Sequence, residues 1–180
     1  MAAARSKRET RRIITKMVIE ICSQKIAQER AASLQEDTAI ISIVSLDEKD
    51  VAFSDSDKIS GVLRLRFNDL KEEYDEDGLP YGRPLPRSKD FDGLRRFVED
   101  LHCDRLLIHC WEGTSRSAAV ASAVYEFRGR RDTLLTHSRF NPNPLVYILA
   151  CGELGIQRGS LRCKAISEGE GTWRLSESDA

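Results

Sequence analysis

The segment Ala118-Ala-Val-Ala-Ser-Ala-Val124 is apolar on every side of a helix, and it follows the short apolar run Arg105-Leu-Leu-Ile-His109 after one small polar loop. A helix with no face for water has to lie inside the molecule, so the helix expected over residues 116 to 128 is central to whatever fold forms. A strand that feeds a buried helix through a short loop is the unit of a layered α/β sheet. Few other architectures bury such a helix in a chain of this length.

The remaining segments fit that plan. Thr38-Ala-Ile-Ile-Ser-Ile-Val-Ser45 is nearly continuous in apolar residues, as suits a strand covered by helices on both faces. Met17-Val-Ile-Glu-Ile21 is a short β-branched run long enough for a strand, with Ser23 placed to cap a helix after it. A continuous helix over residues 9 to 35 is the competing reading. Val62-Leu-Arg-Leu-Arg-Phe67 alternates apolar and basic residues, the period of a half-covered strand. Ser88 is expected to start a helix with Phe91, Leu94, Phe97, Val98 and Leu101 on its apolar face. Gly129 marks a stop, Asn141-Pro-Asn-Pro144 a break, and residues 145 to 154 a last helix.

The expected fold is therefore α/β: a mostly parallel central sheet of about four to five strands with helices on both faces, in three layers. The chain of 180 residues reads as one domain over 16–157, with a basic arm over 1–15 and a polar tail over 158–180. The net charge of −1 gives no field for nucleic acid or an anionic membrane. No run of 18 apolar residues suggests a membrane span, and the charged start is unlike a secretory signal. Five cysteines, odd in number and widely spaced, argue against a disulfide framework or a structural zinc site and for the cytoplasm.

The chemistry is expected where strand meets helix. Ligands of parallel sheets sit beyond the carboxyl ends of the strands, and Cys110 is at that end of its strand. The loop Trp111, Glu112, Gly113, Thr114, Ser115, Arg116 presents unpaired backbone N–H groups at a helix start, where the helix dipole also favours an anion. Gly113 allows the close backbone approach such a cradle needs, and Arg116 offers a planar fork to two oxygens of a phosphate. A helix N-terminus and a neighbouring cation favour an ionised thiol, so Cys110 is the expected nucleophile toward a phosphorus held there. Ser117 is placed to donate a hydrogen bond to the departing sulfur. His109 is expected to orient the loop rather than act as a base.

Taken together, His109-Cys-Trp-Glu-Gly-Thr-Ser-Arg-Ser117 resembles the His-Cys-x5-Arg-Ser/Thr signature of the cysteine-dependent protein tyrosine and dual-specificity phosphatases. The wider chain is similar to the small bacterial and phage-type members of that superfamily. Ile41-Ser-Ile43, Leu65-Arg-Phe-Asn-Asp69 and Asn141-Pro-Asn-Pro-Leu-Val-Tyr147 carry this likeness, which spans roughly residues 16 to 155. Glu112 and Thr114 depart from the residues relatives often carry.

The resemblance implies a metal-independent phosphomonoester hydrolase without cofactor, acting on a phosphorylated protein or a small phosphomonoester. It also implies a general acid on a loop after an earlier strand. Asp69 is the first choice, with Asp75 and Asp77 as runners-up. Asn141 and Asn143 either brace the site or simply form a turn. The alternatives are a phosphate-binding module that has lost turnover, and a sulfur-transfer or arsenate-reducing enzyme. Arsenate reduction would need additional redox cysteines near Cys110, and Cys103 belongs to the far end of the strand.

Overall fold

The computed structural model describes residues 17–129, 139–156, 166–168 and 172–174. The basic arm and most of the C-terminal tail lie outside these residues.

Four strands form one all-parallel sheet: β1 (Val18–Ser23), β2 (Thr38–Val44), β3 (Ile59–Arg66) and β4 (Arg105–Cys110), in the order β1-β4-β2-β3. The α/β reading of the sequence holds. The continuous-helix alternative for the start of the chain does not, because residues 18–23 pair with β4 along its whole length. All seven residues of β2 are buried, which is why that segment is apolar throughout. In the edge strand β3 only Leu65 is buried, between an exposed Arg64 and a half-buried Arg66, in keeping with the alternation there.

Side-chain alternation divides the core in two. Ile41, Ile43, Leu106 and Ile108 face the larger layer, made by α2 (Leu94–Glu99), α3 (Arg116–Phe127) and α4 (Pro144–Glu153). Ile40 and Leu107 face the smaller one, made by α1 (Gln24–Ala31) through Ala27 and Ala31, with Phe53 from the loop between β2 and β3. Each of these aliphatic side chains contributes about 1.5–3 kcal/mol by leaving water.

In α3 every residue from Arg116 to Val124 is buried. Its small side chains let the helix approach both the sheet and α4, whose Tyr147 hydroxyl reaches Glu126. Asn143 caps α4 by accepting from the N–H groups of Leu145 (3.0 Å) and Val146 (3.2 Å).

One expectation needs correction. The helix expected from Ser88 is split into a 3₁₀ turn (Ser88–Phe91) and α2, capped by Arg87 and Gly93 respectively. Gly93 has φ 86°, a left-handed conformation that ends one helix and starts another, and the apolar face survives because Phe91, Leu94 and Val98 are all buried. In the tail, residues 166–168 and 172–174 pair as a short antiparallel ladder, which is too brief to leave a period in the sequence.

Candidate active site

The carboxyl ends of β2, β3 and β4 converge on a pocket of about 330 Å³ lined by Ser45, Glu48, Asp69, Cys110, Trp111 and the loop to Arg116. Cys110 is the last residue of β4, and its side chain is almost wholly enclosed. Its Sγ lies 3.3 Å from the backbone nitrogen of Gly113, which donates to it, and 3.1 Å from the Ser117 hydroxyl. The loop therefore curls round the sulfur, with the Gly113 N–H turned inward.

Gly113 makes the curl possible. It has φ 77°, and a Cβ there would lie 2.3 Å from the carbonyl carbon of Cys22 and 2.6 Å from the nitrogen of Ser23. The loop is thus pressed against the junction of β1 and α1, where Gln24 N–H also donates to the carbonyl of Trp111 at 3.2 Å. On its other side, Asn141 N–H donates to the carbonyl of Thr114 at 3.0 Å.

Arg116 opens α3 and is 5% exposed. Its Nη1 donates to Ser45 Oγ at 3.0 Å and to the carbonyl of Phe67 at 3.1 Å, groups that follow β2 and β3 directly. Its Nε is buried, has no hydrogen-bond partner among the described residues, and lies 3.9 Å from Asp69 Oδ2. One edge of the guanidinium is anchored to the sheet, and the Nε–H edge remains for a ligand. An unmatched buried N–H is costly, so this edge is primed for an oxyanion.

Asp69 faces the same pocket. Its Oδ1 accepts from Ser115 Oγ (2.9 Å) and from Asn143 Nδ2 (2.8 Å), while Asn143 Nδ2 also donates to the carbonyl of Leu70 at 3.1 Å. Asn143 is fully buried, so it both caps α4 and braces Asp69. Asn141 holds the loop through its backbone alone. Asp75 does something else: its Oδ1 accepts from the N–H groups of Asp77 (3.0 Å) and Leu79 (2.8 Å) in an exposed turn, and neither Asp75 nor Asp77 lines the pocket.

Cys110, Gly113, Arg116, Ser117 and Asp69 thus come together. Trp111 and Glu112 sit on the exposed lip, and Thr114 and Ser115 form the wall. Ser45 and Glu48 also belong to the site, although the sequence reading did not single them out. Ser45 was accessible in principle, as the residue just beyond a buried parallel strand. Glu48 leaves no such signal, because it enters the pocket only when the 45–48 turn closes, with Ser45 N–H donating to its Oε2 at 2.7 Å.

Beneath the loop, His109 is fully buried, with Nε2 2.9 Å from Ser42 Oγ and the Phe53 ring edge-on at 5.7 Å. Its pKa is lowered to about 4, first by burial and further by the charges of Arg64 and Arg116, while a backbone hydrogen bond at Cys110 opposes this. The ring is neutral near pH 7, which suits a brace rather than a base. Cys22 on the adjacent strand is pushed up to about 12, first by burial and then by Cys110, with Arg139 pulling the other way. It stays a thiol. Cys103 lies at the opposite end of β4, with its Sγ directed to the Arg105 carbonyl at 3.2 Å.

Compared with known proteins, the chain matches no protein-family model and no curated protein. The chemistry of this pocket is therefore the guide to what the protein does.

Two outcomes follow from the geometry. Gly113→Ala should lose more than about 2 kcal/mol of stability in denaturant unfolding, from the left-handed backbone and the collision with Cys22. For His109, the unfolded chain binds the proton more readily than the folded one between pH 6.5 and about 4. Stability is then complete above about pH 6.5 and falls by about 3 kcal/mol as the pH drops through that window. In His109→Gln, which keeps a polar group toward Ser42, that part of the pH slope should vanish from the unfolding midpoints.

Proposed function

We propose that the protein is a metal-independent phosphomonoester hydrolase of the protein tyrosine or dual-specificity type, working through a cysteinyl-phosphate intermediate. The observation that carries this reading is a single pocket holding an enclosed Cys110 sulfur, the unpartnered Nε–H of a buried Arg116, and the braced carboxylate of Asp69. Binding an anion alone would need the arginine and the loop, but neither the sulfur at its centre nor the carboxyl group opposite.

In this mechanism the phosphate sits on the inward N–H groups of residues 111–116, with two oxygens toward Arg116. The Cys110 thiolate attacks phosphorus, and an S–P bond forms as the bond to the ester oxygen breaks. Asp69 delivers a proton to that oxygen, so the alcohol or phenol leaves neutral, a contribution of about 10²–10⁴-fold. Because Oδ1 already accepts two hydrogen bonds, the transferable proton belongs on Oδ2.

In the second half, water attacks the thiophosphate and gives a proton back to Asp69. The S–P bond breaks, and the Ser117 hydroxyl stabilises the returning thiolate from 3.1 Å. Inorganic phosphate departs and the site is restored. The likeness of His109–Ser117 to the cysteine-dependent phosphatase signature supports the same reading, with Cys110 as nucleophile and Arg116 as clamp.

Among the described residues Cys22, Cys103 and Cys110 are free thiols, which fits work in a reducing compartment such as the cytoplasm. Among the described residues no helix is long and apolar enough to cross a membrane.

The wild-type chain should release phosphate from p-nitrophenyl phosphate in the presence of a chelator, and vanadate should inhibit it. Cys110→Ser should reduce turnover by at least about 10³-fold while still binding the oxyanion. Undiminished turnover in that variant would sink the covalent mechanism, and binding without turnover in the wild type would leave only a phosphate-binding module. Asp69→Asn should slow alkyl and poor aryl leaving groups by about 10²-fold or more and good ones much less. Asp75→Asn should leave both series unchanged; the reverse pattern would move the acid to Asp75.

A further inference from the structure

The hydrolase reading leaves open what carries the phosphate, and the mouth of the pocket bears on that. Glu48 and Glu112 line it together with Asp69, while Arg116, already committed to the phosphate, is the only cation among the lining residues. The Glu48 carboxylate is fixed rather than free to swing away, since it accepts from Ser45 N–H, and Ser45 Oγ in turn accepts from Arg116. The buried, unpartnered Nε–H of Arg116 marks this as an anion site at its floor. An acidic rim above an anionic ligand is a poor match unless the rest of that ligand is positive.

The adjoining loop extends the same charge. Its two ends are tied down at the site, by Asn143 Nδ2 on the carbonyl of Leu70 and by Asn68 Nδ2 on the carbonyl of Pro84 at 3.1 Å. Between them the chain forms a small hairpin closed by Asp75, with a bridge between Tyr74 and Pro80. Glu72, Glu73, Glu76 and Asp77 on it are exposed, and so are Tyr74, Leu79 and Tyr81.

Two lysines stand on the same segments, Lys49 beside Glu48 and Lys71 at the start of the loop, and the arginines of the neighbouring strand and loop are engaged. Arg66 pairs with Asp50 (2.6 Å), Arg83 with Asp47 (3.1 Å), and Arg64 lies against Asp50 at 3.8 Å with a hydrogen bond to the Val51 carbonyl. Arg87 and Lys89 lie further along, at the 3₁₀ turn. The result is an acidic lip with exposed aromatic and aliphatic side chains, reaching beyond the span of a small phosphomonoester.

We infer that the phosphate presented to Cys110 is carried by a polypeptide segment with Lys or Arg flanking the phosphorylated residue. This rests on the hydrolase reading above. The phosphate fills the floor of the pocket, the flanking cations meet Glu48, Glu112 and the acidic hairpin, and the peptide backbone runs across the exposed Tyr74, Leu79 and Tyr81.

The test uses the full chain and two matched phosphotyrosine peptides, one with Arg and one with Glu on both sides of the phosphorylated residue. p-Nitrophenyl phosphate and O-phosphoethanolamine are run beside them. The Arg peptide should be favoured in kcat/KM by about tenfold or more at low ionic strength, and the gap should narrow as salt is raised. Glu48→Gln, which keeps an acceptor for Ser45 N–H, should shrink the ratio, as should the combined variant Glu72→Gln/Glu73→Gln/Glu76→Gln.

If the Glu peptide is cleaved as well as the Arg peptide while the aryl phosphate turns over, the inference fails and the hydrolase reading stands. A higher kcat/KM on O-phosphoethanolamine than on the Arg peptide overturns the assignment to a polypeptide. No phosphate release from the aryl phosphate removes both readings.

Discussion

A guanidinium with almost no access to water has to be held by neighbouring groups, and in this protein those groups come from the ends of strands. Arg116 is fixed through Ser45 at the end of β2 and the Phe67 carbonyl at the end of β3, and it grows from the helix that follows β4. The cost of leaving such a charge unmatched is several kcal/mol, so these strand ends and the first turn of α3 are mutually fixed. The parallel sheet is what lines them up, because parallel strands place all their carboxyl ends along one edge. Everything else at the site, from the curl of the loop to the position of Asp69, is arranged around that cation.

Much of this was legible because it is local. Cys110, Gly113, Arg116 and Ser117 fall within eight consecutive residues, so a strand end and a helix start determine their relation almost without help from the rest of the chain. The apolar runs of β2 and α3 were equally plain, since burial on every side leaves no polar periodicity. Asp69 was only half legible: its place after β3 could be read, but its rank over Asp75 depends on Asn143 reaching it from α4. That contact joins residues far apart in the chain, and Asn-Pro has a sufficient local meaning of its own.

The readings that failed did so for identifiable reasons. The helix expected from Ser88 kept its apolar spacing across a break, since a single left-handed glycine changes direction without disturbing which side chains reach the core. Glu48 was missed because nothing in the stretch 47–60 distinguishes a carboxylate that folds under a turn from the solvated ones around it.

The strand order has a consequence for how the protein is made. β1 leaves the ribosome first, yet in this sheet it pairs only with β4, most of a hundred residues later. Contacts so distant in sequence slow folding and keep a strand edge unpaired in the meantime. The junction at Cys22 and Ser23 is also the surface on which Gly113 rests, so the anion cradle cannot close until the first strand and the fourth have met. A nascent or N-terminally frayed chain would have its sulfur and its arginine but no finished cradle between them. On the proposed function, phosphate binds only the closed loop and would act as a folding ligand for the pairing of β1 with β4.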